Sequence, residues 1–502
     1  MKNQLFIYAL AALAMGQACK NAGDYSKSVD DYLQLDSTTL EIATVADSLQ
    51  VPWELAYHKD KLIFTEIAGT VKQLDLKTGK VKQLLHLTDV FQKRSTGLLG
   101  IAVQKTDAEH PYVILNYTTK KDSVISSKLV RYEYATDTLI HPTQLLEIRG
   151  NTAHNGTRLH LTQKDIIYWA TGDAYDFPTA QDSTSLNGKI LRINLDGSIP
   201  QDNPIPNSYV YAWGFRNMQG LTIDERGNIF TSEHGDAIED EVNHILPIHN
   251  YGWPLFEGSY DTRTEAEKKG STTAFTAPLR TWGPPIAPSG LAFYDHDIIP
   301  EWKNSLLLGT LKNQSLRILH LADDRKSILS EKVFLTNRYG RIRAVCVAPN
   351  GDIFLTTSNR DWNPQPGFPK PTDDRIIRLR PVKKALKDNL LTEDKPATPA
   401  KVDGAVLYKN YCASCHKEDG LGVKNSFPPL KGSARVKDSN SLLTIVLKGL
   451  DGKQAIDGVN YGTMMPSFAF MKDEELSSLL SYISKQFGSG TSITANQIKQ
   501  KR

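Results

Sequence analysis

A pair of short apolar strands, joined by a turn that often holds Asp, Gly or Asn, recurs six times between residues 41 and 382. It reads first as Trp53–Tyr57 with Leu62–Thr65, then as Leu98–Ala102 with Tyr112–Leu115 and as Thr157–Leu161 with Ile166–Ala170. The later copies are Gly220–Ile223 with Asn228–Thr231, Gly290–Phe293 with Ser305–Leu308, and Ile342–Val345 with Asp352–Leu355. Runs this short, rich in β-branched and aromatic residues and bounded by Gly, Asn and Asp, have strand chemistry. Roughly 57 residues per unit is the size of a four-stranded blade with its loops. A lone blade leaves both faces wet, whereas six packed around an axis bury them. The pattern therefore predicts an all-β six-bladed β-propeller over residues 41–382, and a β-sandwich explains the regular recurrence less well.

The 59 basic and 56 acidic residues leave a net charge of +3, with no long run of one sign, which argues against a nucleic-acid partner. A hydrophobic fraction of 40% excludes a disordered chain. At the N-terminus, Lys2 precedes an apolar stretch from Leu5 to Met15 that is too short to span a bilayer and reads as an export signal over residues 1–18. Gly16-Gln17-Ala18-Cys19 resembles a bacterial lipoprotein cleavage site, which makes Cys19 the expected lipidation point and residues 19–40 a polar tether. The expected location is the periplasm or cell envelope of a bacterium. The other cysteines, Cys346, Cys412 and Cys415, are three, so a disulfide framework is not expected.

Unusual polar residues sit where the loops meet the repeats: His154 and the trio Arg216, Asn217 and Gln219 in loops entering first strands, Arg341 and Arg343 flanking Ile342, and Lys312 after a second strand. If the first strands line the axis, these side chains share one rim. Three arginines and a lysine around a histidine would suit a compact polyanion. Taken singly, a loop arginine is most often solvated and a lone histidine structural.

The same region resembles the glucose/sorbosone dehydrogenase family, propellers that use pyrroloquinoline quinone (PQQ) and calcium to oxidise aldoses. The matching segments include Pro52–Ala56, Gly97–Ile101, His154–Arg158, Leu186–Arg192 and Gly214–Gly220, and continue through Ser232–Asp236, Asp240–Asn243, Asn250–Pro254 and Ile286–Gly290 to Arg341–Arg343. The resemblance implies that His154 is the general base at the sugar C1 hydroxyl and that Arg216 stabilises negative charge on the quinone oxygen. It further implies that Asn217 and Gln219 line the PQQ site, that Lys312, Arg341 and Arg343 hold PQQ carboxylates, and that the backbone carbonyls of Gly235 and Asp236 bind calcium. Three positions depart from the family pattern on the sugar side: Asp236 replaces Pro, Ala153 replaces Asp and Ser95 replaces Gln.

Residues 383–401 lack strand patterning and read as a solvated linker. Beyond them, Tyr411-Cys-Ala-Ser-Cys-His416 has the spacing for covalent haem c, with Cys412 and Cys415 adding to the porphyrin and His416 ligating iron. A zinc site or a redox dithiol would need a second ligand pair or a βαβ context. The Met-Pro of Tyr461–Pro466 resembles the distal segment of class I cytochromes c, which points to Met465 as the second iron ligand, with Met464 as the alternative. Asp473 followed by Leu476, Leu479, Leu480 and Ile483 predicts a helix ending at Gly488. The expectation is a small all-α cytochrome c domain over residues 402–488, followed by a disordered tail, 489–502.

Together the two halves predict a PQQ- and calcium-dependent dehydrogenase. It would oxidise an aldose to the aldonolactone and pass electrons through haem c to an external cytochrome or oxidase. Two rival readings are a calcium-dependent lactonase and a sugar- or partner-binding propeller that carries a cytochrome; the cation set and His154 speak against both.

Overall fold

The computed structural model describes residues 25–261, 274–395, 403–424, 426–450, 454–456, 458–461 and 465–502. The export signal, Cys19 and Met464 lie outside the described residues.

Six antiparallel sheets form the blades of a propeller. Their first strands are Pro52–His58, Leu98–Val103, Gly156–Leu161, Met218–Ile223, Pro288–Tyr294 and Ile342–Val347, and each neighbours the next around a closed ring. All six strand pairs of the sequence repeat are the first and second strands of these blades. Packing against both neighbours buries the inner strands on both faces, which is why they are continuous apolar runs without alternation; every residue of Leu98–Val103 is buried. Between blades the contact is apolar, as where Leu98, Ile101 and Leu115 pack with Ile63 and Val71 of the preceding blade.

Closure comes from the two ends of the repeat region. The last blade takes three strands from Ile342–Val347, Ile353–Thr357 and Ile376–Val382, then two from Thr39–Ala46 and Ser28–Gln34. Thr39 pairs with Val382 and Ile42 with Leu379. This corrects the reading of residues 19–40 as a tether: Ser28–Gln34 is a strand with Tyr32 and Leu33 buried. Its polar character misled because Asp31 is neutralised in place, 2.6 Å from the Arg338 guanidinium and 2.5 Å from the Tyr339 hydroxyl. The segment read as a solvated linker also adheres to this blade. Leu391 bonds the backbones of Tyr32 and Gln34, and Asp394 accepts from Thr336 at 2.7 Å.

Among the described residues, the C-terminal region is helical with one short hairpin, Gln454–Ile456 with Val459–Tyr461. Helix Gly404–Tyr411 crosses Asp473–Phe487 at Gly404, where a Cβ would stand 2.2 Å from the Ser478 carbonyl; only glycine permits that approach. Leu476, Leu479, Leu480 and Ile483 are the buried face of the second helix, which Lys472 caps and Asp473 begins. The tail is ordered rather than free: helix Ala495–Lys501 starts at a Thr494–Gln497 capping box and buries Ile498 beside Ile493. It is too short to announce itself by period and exists through packing.

This region sits on the propeller mouth. Ala237 joins its apolar cluster, Trp362 meets Phe427 with ring centroids 5.8 Å apart, and Arg94 donates to the Ser426 hydroxyl at 3.1 Å. Asn363 donates to the Ser414 carbonyl at 3.2 Å and accepts from Lys417, while Lys312 donates to the Asn410 carbonyl.

Ile42 is fully buried in the closing blade. Ile42→Ala is expected to cost about 2–5 kcal/mol, read as a lower urea midpoint with an unchanged slope.

Candidate functional site

The loops entering the inner strands bring the rim residues to one end of the ring. His154 precedes its strand with φ +56 and is buried. Its Nδ1 is 2.9 Å from Asp173 Oδ1, and Asp173 in turn accepts from Trp253 Nε1 at 2.8 Å and from the Tyr175 amide at 2.9 Å. The imidazole stacks on Tyr175 with centroids 3.9 Å apart. Burial, reinforced by the charge of Arg216, lowers the pKa of His154 although Asp173 opposes it, so the ring is neutral at pH 7. The carboxylate fixes the proton on Nδ1 and leaves Nε2 as the basic nitrogen.

Arg216 is buried, with Nη2 2.7 Å from Asp236 Oδ1 and its guanidinium 5.3 Å over the Trp253 ring. The Asp236 carboxylate is thus the counter-charge of Arg216. Asn217 accepts from the Gly156 amide at 3.3 Å and from Gln219 Nε2 at 3.1 Å. Arg341 and Arg343 share one partner, Asp361, at 2.8 and 3.1 Å. Arg343 also donates to Gln219 Oε1 at 3.2 Å and lies 3.9 Å over Trp53; burial brings its pKa down to about 9.

Above them lies the Cys-x-x-Cys-His segment, folded as the turn Ala413–His416. Burial raises the Cys412 thiol to about 12 and lifts that of Cys415. The His416 Nδ1 is 2.9 Å from the Pro428 carbonyl, which sets the tautomer and leaves Nε2 for a metal. Met465 is fixed by two backbone bonds to Leu450, at 2.8 and 3.0 Å.

One cavity of about 330 Å³ joins the two sets. Arg216, Gly235, Asp236, Lys312 and Arg341 line it on the propeller side, and Cys412, Cys415, His416 and Met465 on the other. Tyr175, which lines the cavity, stacks on His154, while Asn217 and Arg343 are joined through Gln219. Sequence reasoning missed the carboxylates Asp173 and Asp361, and also His234, whose pKa burial drives down to about 3. Among the described residues, its Nε2 and the Arg216 Nε are buried without a hydrogen-bond partner, and both residues line the cavity.

A propeller with a basic, histidine-bearing mouth, opening directly onto a cytochrome-type cysteine pair, is the build of an electron-transferring oxidoreductase. The chain belongs to the glucose/sorbosone dehydrogenase family, which it matches over residues 49–363, and carries a cytochrome c domain over 402–486. It is 30% identical to the aldose sugar dehydrogenase YliI of Escherichia coli over 338 residues, 64% of this chain and 90% of that protein. The PQQ-bound form of aldose sugar dehydrogenase from Streptomyces coelicolor superposes with a TM-score of 0.60 at 31% identity, over 68% of this chain and 98% of that one. The C-terminal region is 34% identical to cytochrome c-552 of Thermus thermophilus over 114 residues, 20% of this chain and 76% of that protein.

Asp361 is the shared counter-charge of two buried arginines. Asp361→Asn is expected to lower stability by about 3–5 kcal/mol, measured by chemical denaturation.

Proposed function

We propose that the protein oxidises an aldose at C1 to the aldonolactone at the propeller mouth, and passes the electrons through its own cytochrome to an external acceptor. The observation that carries this reading is the single cavity bounded by Arg216, Lys312 and Arg341 on one side and Cys412, Cys415, His416 and Met465 on the other. When bound, PQQ supplies a two-electron acceptor and haem c a one-electron carrier, so each sugar requires two passages through the cytochrome.

The residues fit both groups. The lining cations and the unpartnered Arg216 Nε and His234 Nε2 suit a planar polyanion, and Arg343 and Asn217 are joined through Gln219. Paired thiols beside a preset imidazole and a backbone-fixed Met465 suit a covalently attached haem. Calcium would sit at the carbonyls of Gly235 and Asp236, neither of which accepts a hydrogen bond among the described residues.

In the chemistry of this chain's own side chains, the neutral His154 takes the C1 hydroxyl proton on Nε2. Asp173, held by the Trp253 indole and the Tyr175 amide, keeps the ring oriented and stabilises the imidazolium. Arg216 presents a fixed positive charge where negative charge develops. Export, with lipid attachment at Cys19, would place the enzyme in the bacterial envelope, beside an oxidising acceptor.

The test is the absorbance of the haem α band in oxidised protein given calcium and a panel of aldoses, with and without PQQ. Reduction should require both sugar and PQQ and fall by about 10²–10⁴ in His154→Ala. A haem that dithionite reduces but no sugar with PQQ can reduce would overturn the reading. Because burial and the Arg216 charge hold the His154 pKa below that of a free imidazole, the acid limb of kcat/KM should have its midpoint below pH 6.5. Asp173→Asn removes a group that raises that pKa and should move the acid limb lower still, as well as reduce kcat.

A further inference from the structure

One loop of the closing blade meets both the cation cluster and the cytochrome domain, through consecutive residues. Asp361 is the shared counter-charge of Arg341 and Arg343. Trp362 faces Phe427 of the cytochrome domain with ring centroids 5.8 Å apart, within the range of an aromatic pair. Asn363 donates to the Ser414 carbonyl at 3.2 Å, inside the Cys-x-x-Cys-His turn, and accepts from Lys417, the residue after His416. The loop is braced from within. Asp361 and Asn363 are buried, and Asp361 accepts from the Asn363 amide at 3.0 Å and from the Ser358 hydroxyl at 2.8 Å.

What this loop grips is braced as well. Phe427 and Val423 exchange backbone hydrogen bonds at 2.8 and 2.9 Å, which closes a tight loop. Pro428, next in sequence, supplies the carbonyl that orients the His416 ring. Gly422 packs on the same pair of carbonyls: a Cβ there would stand 2.4 Å from the Phe427 oxygen and 2.7 Å from the Pro428 oxygen. Close-packed contacts of this kind transmit a displacement instead of absorbing it. A shift of Trp362 is therefore passed through Phe427 to the acceptor of the His416 ring, while Asn363 fixes the turn that bears the cysteines. Electron passage between two centres depends steeply on their separation, whereas proton removal by His154 does not.

We propose that Asp361, Trp362 and Asn363 are the positioning residues for internal electron transfer, with Trp362 as the anchor. The segment holds the Cys-x-x-Cys-His turn in register with the same arginine pair that Asp361 balances, so the donor and acceptor sites share one ruler. The proposal rests on the aldose-oxidising reading above for the source of the electrons and adds the residues that set the step between the domains.

The experiment uses the full-length protein loaded with haem, PQQ and calcium. After rapid mixing with glucose, the loss of oxidised-quinone absorbance is followed beside the rise of the haem α band. Trp362→Ala should slow the second signal about tenfold more than the first, and Trp362→Phe should restore most of that loss. Lys417→Met removes a partner of Asn363 from outside the inner cavity's lining and should act in the same direction. The haem midpoint potential should stay at its wild-type value in both Trp362→Ala and Lys417→Met, which a disrupted cytochrome domain would not allow. A haem that follows the quinone at the wild-type interval in Trp362→Ala, or signals that slow in equal proportion, overturns the positioning role. Hydrogen–deuterium exchange on haem-loaded protein without PQQ reads the seat without turnover. Amides of Ala413–His416 should exchange about tenfold faster in Trp362→Ala, with helix Asp473–Phe487 unchanged. That pattern supports the proposal even if no sugar is oxidised, and equal exchange at Ala413–His416 overturns it even if glucose is.

Discussion

Guanidinium groups buried at the end of a propeller axis persist only where each has a counter-charge, and that constraint shapes the mouth of this protein. Arg158 lies 3.2 Å from Glu54, Arg216 takes Asp236, and Arg341 and Arg343 share Asp361. Asp361 also accepts from Ser358 at 2.8 Å and from the Asn363 amide at 3.0 Å. It therefore holds in place the loop whose next two residues, Trp362 and Asn363, touch the cytochrome. One carboxylate thus sets both the cation pattern facing the cofactor site and the seat of the domain above it.

Two charged residues of the mouth lie beneath the cytochrome domain. Asp236 neutralises Arg216 beneath the cytochrome, and its charge is felt at Cys415. Arg94, next to Ser95, reaches Ser426 instead of open solvent. A mouth roofed by protein meets different demands from one that opens to water, and the Asp236 carboxylate lowers the net positive charge enclosed beneath that roof.

The inner strands were legible because burial on both faces writes them as unbroken apolar runs. The cytochrome c domain was legible because its Cys-x-x-Cys-His segment is local: Cys412, Cys415 and His416 lie within one turn. Strand Ser28–Gln34 was not, since Asp30 and Asp31 give it the look of a solvated segment until Arg375 and Arg338 are folded against it. Asp173 and Asp361 escaped for a related reason: an acidic residue in a loop carries no local mark of the partner it will find 19 or 20 positions away. The cavity between the domains had no sequence signature, because its walls come from segments that no periodicity links.

The closing blade has a consequence in time. Thr39–Ala46 leaves the ribosome early, but its partner Ile376–Val382 is made more than three hundred residues later. Until then the ring stays open, with the backbone edges of Thr39–Ala46 and of the forming last blade unpaired and open to pairing with other chains. Contacts this distant in sequence are slow to form. A polypeptide held extended until its synthesis is complete shortens that interval, because both strands then exist before either edge is offered for pairing.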